Sequence, residues 1–154
     1  WWDSEKEPMN VLFAFGLGGT MQLIPATAAL VCDGLFDRFP NLKVTIVESG
    51  AGYAAYLMDR LDEKYQRFGN LAPIKRPPSE YLRENFWFVM DPSERSIDAQ
   101  CDLLGEEHFL WGSDYPHIDS HINARSEVDA ALAAMSEKRR NLVLGGNARA
   151  LFNL

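Results

Sequence analysis

The stretch 108–121, "HFLWGSDYPHIDSH", holds all three histidines of a 154-residue chain, together with Asp114 and Asp119. An apolar run, Phe109-Leu110-Trp111, leads into Gly112-Ser113-Asp114 and a turn broken by Pro116. Imidazoles and carboxylates gathered at the end of an apolar strand admit three explanations. They could hold a divalent metal, they could move protons, or they could form a polar loop after a buried strand. His117 and His121 stand at i, i+4, which on a helix could clamp a metal. Pro116 and the polar "IDSH" stretch argue against a continuous helix there. A self-contained site of Asp114, His117, Asp119 and His121 would rest on a single loop, a poor scaffold for three or four rigidly held ligands.

The elements that must position these residues are read from hydrophobic spacing. After a poorly patterned region over 1–20, with a short strand at 11–15 and a flexible Gly16–Gly19 loop, the pattern predicts a helix from about Pro25. Proline suits a first helical turn because its missing N–H has no partner there. Ala28, Val31, Cys32, Leu35, Phe36 and Phe39 give that helix its buried stripe. "KVTIVE" (43–48) reads as a strand, followed by a helix over 53–68. A Pro-rich loop, Pro73 to Pro78, leads to a helical turn around Tyr81. "NFWFVM" (85–90) reads as a strand covered on both faces. Asp91-Pro92 can cap and open a third helix, with Glu94 as a capping-box partner and Ile97, Cys101 and Leu104 inward. The last unit is strand 108–111, the quoted loop, and a helix with Val128, Ala131, Leu132 and Met135 inward. Two short terminal helices follow, the last capped by Asn147 and buried through Leu151 and Phe152.

Buried strands alternating with helices mean parallel βα units, in a doubly wound sheet or part of a barrel. In both architectures ligands sit at the carboxyl ends of the strands. Those ends present Glu48-Ser49-Gly50, Asp91-Pro92 and Ser113-Asp114-Tyr115-Pro116-His117. Asp114 suits either a metal-ligand or general-base role or a turn aspartate. Glu48 has no capping role to explain it at the end of a β-branched strand. Asp91 before a proline is explained as an N-cap. His108 opens its strand at the far end and reads as structural or exposed. "GLGGT" (16–20) lacks a phosphate-loop lysine and the full dinucleotide spacing. "ESGAG" (48–52) lacks the glycine two before the serine of a nucleophile elbow.

Composition narrows the function classes. A formal net charge of −7 without a basic stripe argues against nucleic acid. Lys138-Arg139-Arg140, beside Glu137, reads as a solvated helix face. Cys32 and Cys101 lie far apart on apolar faces and read as reduced thiols of a cytoplasmic protein. No continuous apolar run reaches the roughly 18–20 residues of a membrane span. The start, Trp1-Trp2-Asp3-Ser4-Glu5, has no signal-peptide pattern and looks cut from something longer.

Three segments, "GLFDRFPNLKVTIVESGAGYAAYLMDRLDE" (34–63), "LWGSDYPH" (110–117) and "LGGNARALF" (144–152), occur in an order and spacing that resembles the amidohydrolase-related family. This is the branch of the metal-dependent amidohydrolases that includes aminocarboxymuconate-semialdehyde decarboxylase. The resemblance runs from about residue 22 to the end. It implies an α/β fold, the C-terminal part of a (β/α)8 barrel, in which this single domain supplies strands six to eight. Family metal ligands come from an HxH pair after the first strand, a histidine after the fifth and an aspartate after the eighth. Asp114 matches that aspartate, as metal ligand and catalytic residue. Glu48 stands where many relatives have a histidine after the sixth strand and would be a catalytic proton donor or acceptor, and His117 would shape the substrate pocket. No HxH occurs here, and no histidine precedes residue 108.

The resemblance implies a divalent metal cofactor, zinc first and manganese second. The implied reaction of the complete protein is hydrolysis or decarboxylation of a small carboxylated or cyclic substrate. The expected partners are that substrate and a second copy in a homo-oligomer, without nucleic acid or membrane. The rival readings are a non-catalytic barrel segment acting as an oligomer or interaction partner, and a doubly wound binding domain.

Overall fold

The computed structural model describes residues 11–117 and 120–154. Three parallel strands, β1 (Val44–Ile46), β2 (Phe86–Met90) and β3 (Phe109–Trp111), lie side by side in sequence order. The register pairs Ile46 with Phe88 and Phe88 with Phe109, so these three share one face; Val89 pairs with Leu110 on the other. Phe86, Phe88, Met90 and Phe109 are fully buried against the helices, whereas Trp87 and Val89 are only half-buried. The expected burial on both faces of β2 therefore holds on one face only. The expected span of that strand shortens by one residue, because Asn85 instead donates its amide to the carbonyls of Pro40 and Leu42.

The helices cover the buried face. α1 (Val11–Cys32) and α2 (Leu35–Arg38) precede β1; α3 (Ala54–Phe68) and α4 (Pro78–Asn85) link β1 to β2; α5 (Ile97–Leu104) links β2 to β3. After β3 come α6 (Ala124–Ala131), α7 (Glu137–Asn141) and α8 (Asn147–Phe152), with a wide helical turn over Leu142–Gly146 joining the last two. Val31, Phe36, Met58, Tyr81, Leu82, Ile97, Cys101, Leu104, Val128 and Leu132 pack onto the strand side chains as one core.

The largest departure from expectation is α1. The strand at 11–15, the loop over 16–19 and the helix start near Pro25 are all replaced by one helix with Pro25 inside it. Glycines, Thr20, Gln22 and Pro25 break the apolar run when it is read linearly, yet no charged residue occurs between Val11 and Cys32. Thr27, fully buried, donates its hydroxyl to the carbonyl of Leu23, 2.8 Å away, in the turn that contains the proline. Contrary to the expectation that no apolar run reaches a membrane span, Leu12–Cys32 is long and apolar enough to cross one by length and composition, a test that core helices and signal sequences also pass. Its first turns expose Leu12, Phe13, Phe15, Leu17 and Met21.

α5 starts at Ile97 with Ser96 before it, so Asp91 does not cap it. Asn147 does not cap α8: its amide donates to the carbonyls of Glu106 and Phe109, both at 2.8 Å, and Phe152 is exposed. The 138–140 cluster is no simple solvated face. Arg139 ties α7 to Asp98 and Asp102 of α5 and to Glu106, and Lys138 also reaches Glu106.

Candidate active site

The three βα junctions lie at the same edge of a parallel sheet, as they must when every strand runs the same way. β2 separates β1 from β3, so the first and third junctions stand about 10 Å apart, two interstrand spacings. Glu48 and Asp114, the acids at those two junctions, both have left-handed backbones, with φ of 59° and 57°. For residues with a Cβ this conformation is uncommon, less so for aspartate than for glutamate, and it persists only where the surroundings hold it. It turns the chain sharply out of the strand and into the loop.

Asp114 is held locally by His117. The His117 N–H donates to the Asp114 carbonyl at 2.8 Å, closing a turn, and the ring Nδ1 lies 3.0 Å from Asp114 Oδ2. The carboxylate is about one-third exposed and the imidazole about half. Asp114 and His117 are thus brought together at the end of β3. His121 is not brought to them: its Nδ1 lies 2.6 Å from Glu127 Oε2. Asp119 lies outside the described residues. Among the described residues, no three His, Cys, Asp or Glu side chains converge as a metal site. Asp114 can supply one ligand, but the described residues do not by themselves fit a catalytic metal centre, which takes three or more.

His108 sits at the opposite end of its strand, as expected, and is structural. It is buried, with Nδ1 2.8 Å from the Phe86 carbonyl, and burial holds its imidazole below the ordinary value.

Glu94 is the residue whose role sequence spacing missed. As a capping-box partner its main bond would be to the Asp91 N–H, which is long at 3.4 Å. Its carboxylate instead accepts the Ala51 N–H with both oxygens, at 2.9 and 3.2 Å, across to the loop that follows Glu48. Gly52 allows this approach, since a Cβ there would meet Glu94 Oε1 at 2.8 Å. Burial and the nearby Asp91 charge push the Glu94 carboxyl above the usual range, and the Ala51 N–H only partly offsets them. Thr20, Ser49, Tyr53, Asp91, Ser93 and Glu94 line an open cleft of about 370 Å³ at the ends of β1 and β2. A carboxylate that bonds a loop forty-three positions away leaves no local signal in sequence.

The family profile described as "Amidohydrolase" matches residues 8–154. The chain belongs to the amidohydrolase family. Among curated proteins it is similar to the gamma-resorcylate decarboxylase of Rhodococcus jostii (strain RHA1), 32% identical over 148 residues, covering 90% of this chain and 43% of that protein. Among solved structures it is similar to the 5-carboxyvanillate decarboxylase LigW of Sphingomonas paucimobilis. That match has 30% identity and a TM-score of 0.70, covering 88% of this chain and 41% of that one. It is also similar to 5-carboxyvanillate decarboxylase LigW2 of Novosphingobium aromaticivorans, with bound manganese. There the identity is 26% and the TM-score 0.69, covering 99% of this chain and 45% of that one. The chain spans between 27% and 44% of the length of the curated relatives it matches. The three parallel strands and their helices are thus part of a (β/α)8 barrel of the amidohydrolase type.

Proposed function

We propose that the complete gene product containing this chain is a metal-dependent carboxy-lyase acting on a small cyclic, carboxylated substrate. This chain supplies the C-terminal part of the barrel. The observation that carries this reading is the identity of 30% or more to aromatic-acid decarboxylases over a span that takes in most of the chain, with β3 and the Asp114 loop after it. In this reading Asp114 is a metal ligand contributed by the chain, and the remaining ligands come from other strands. The ion, when bound, acts as a Lewis acid toward substrate oxygens. Manganese is favoured over the zinc expected from sequence, because it is the ion bound in the related LigW2 structure.

The other residues act through protons and position. Decarboxylation breaks the bond to the carboxyl carbon, releases CO2, and leaves a carbon that must gain a proton. Glu48, exposed after β1, two strands from Asp114 at the same edge of the sheet, holds and delivers that proton. His117 orients the Asp114 carboxylate through the 3.0 Å contact and borders the substrate. The relatives are decarboxylases, so decarboxylation is favoured over hydrolysis, and the comparisons lend no support to a non-catalytic barrel segment.

The test is direct. The complete gene product, loaded with Mn2+, is assayed for CO2 release from a panel of hydroxylated and methoxylated benzoic acids. The expected result is metal-dependent, single-carboxyl release from at least one of them. A manganese-loaded protein that is inert across the panel contradicts the reading.

A further inference from the structure

We propose that Glu94, together with Thr20, is a positioning residue for Glu48, clamping from both sides the turn that carries it. The proposal rests on the carboxy-lyase reading for its catalytic consequence and on hydrogen-bond geometry for its structural part.

Glu48 and Ser49 open a short loop, residues 50–53, that leads into α3, a fifteen-residue helix whose first-turn amides need partners from outside the helix. Tyr53, preceding that helix, makes no side-chain cap. The segment after β2 supplies acceptors to both the loop and the first turn of the helix. Glu94 takes the Ala51 N–H with both oxygens, and Gln100 Oε1 takes the Ala55 N–H at 3.0 Å while its amide donates to the Gly52 carbonyl at 2.8 Å. The unit after β2 therefore ties down the loop that begins with Glu48 through Glu94, and caps the helix that follows it through Gln100.

The opposite side of the turn is held by α1. The Thr20 hydroxyl donates to the Ser49 carbonyl at 2.9 Å, and Gly19 lies so close that a Cβ on it would stand 2.8 Å from the Glu48 carbonyl oxygen. The backbone of Glu48 is thus pressed by a helix on one side and pulled through Ala51 on the other. Such a two-sided restraint is what a non-glycine residue in the left-handed region needs in order to persist. Glu48 itself is solvent-facing, so its aim depends on its backbone more than on side-chain packing.

The experiment compares wild type, Glu94→Ala, Glu94→Gln and Thr20→Val in the complete gene product. Exchange of the Ala51 amide and the carboxyl 13C resonance of Glu48 report the turn; kcat, KM and bound Mn2+ report the site. Glu94→Ala removes the acceptor and should raise Ala51 exchange at least about tenfold, move the Glu48 resonance, and lower kcat by about 10- to 100-fold. KM and metal content should change little, as expected when a reacting group loses position rather than binding. Glu94→Gln keeps one acceptor oxygen and should restore most of kcat. Thr20→Val should move the Glu48 resonance in the same assay. An unchanged Glu48 resonance in Glu94→Ala overturns the proposal, as does a kcat loss that Gln does not rescue. If the wild type has no carboxy-lyase activity, the functional reading fails, while the exchange and resonance readouts still decide the clamp.

Discussion

Asn147 pins the C-terminal helix to the sheet, and replacing it gives a loss that can be worked from the structure. The side chain is buried, 3% exposed, and its amide nitrogen donates two 2.8 Å bonds, to the carbonyls of Glu106 and Phe109. Each such bond is worth about 0.5–1.5 kcal/mol net, and a buried carbonyl left without a donor costs about 1–3 kcal/mol. Water can reach part of the Glu106 side, since Lys138 and Arg139 approach that residue from the surface. Asn147→Ala should therefore cost about 2–4 kcal/mol, lowering the melting temperature of a chain this size by about 5–15 °C. Asn147→Asp keeps the shape but turns acceptors toward two carbonyls, and should cost at least as much at neutral pH. Urea denaturation with an unchanged m-value is the assay. A loss for Asn147→Ala below about 0.5 kcal/mol would refute the reasoning, because neither bond would then contribute to the folded state.

Three further outcomes are expected. Gly18→Ala, where a Cβ meets nothing within 4 Å, should gain up to about 1 kcal/mol from helix propensity, whereas Gly19→Ala should be about 1–3 kcal/mol less stable than it, through the clash with the Glu48 carbonyl; equal stabilities of the two variants would contradict the packing of α1 on that turn. The His108 imidazole is depressed below its ordinary 6.5 by burial, so its contribution is complete above that value and is lost as pH falls through the folded pKa. Stability should drop more steeply below about pH 6.5 in wild type than in His108→Gln, read by difference because Glu94, raised above its ordinary value, contributes a slope of opposite sign at lower pH; parallel pH profiles would count against a buried neutral imidazole. The 154-residue chain alone, desalted at neutral pH, should retain manganese or zinc far below one equivalent, since its described residues offer no three converging ligands; one tightly held equivalent would show that it carries a complete site.

Much of this arrangement is legible in the sequence because it is written in local pattern. β-branched and aromatic runs ending in Gly or Pro mark β1, β2 and β3, and strand polarity then delivers Glu48 and Asp114 to one edge of the sheet. α1 is illegible for a physical reason. Gly16, Gly18, Gly19 and Pro25 are helix-breaking signals taken singly, but packing of Thr27 and Val31 on the core overrides them. Asn147 and Glu94 show the complementary limit. Both look like helix caps at their own sequence positions, and both spend their hydrogen bonds on backbone some forty residues away. Spacing can suggest that a polar residue needs a partner, but only the fold says which one.

Asp114→Asn in the complete gene product decides whether Asp114 is a metal ligand of a carboxy-lyase. Asparagine keeps the size of the side chain and removes the charge that a divalent ion requires. Bound manganese and decarboxylation rate are measured on the same preparation, beside Asp91→Asn, an exposed acid at the adjacent strand end. Asp114→Asn should weaken manganese retention and lower the rate by at least about 10²-fold, with Asp91→Asn near wild type. Near wild-type manganese and turnover in Asp114→Asn, with both lost in Asp91→Asn, would contradict that role for Asp114.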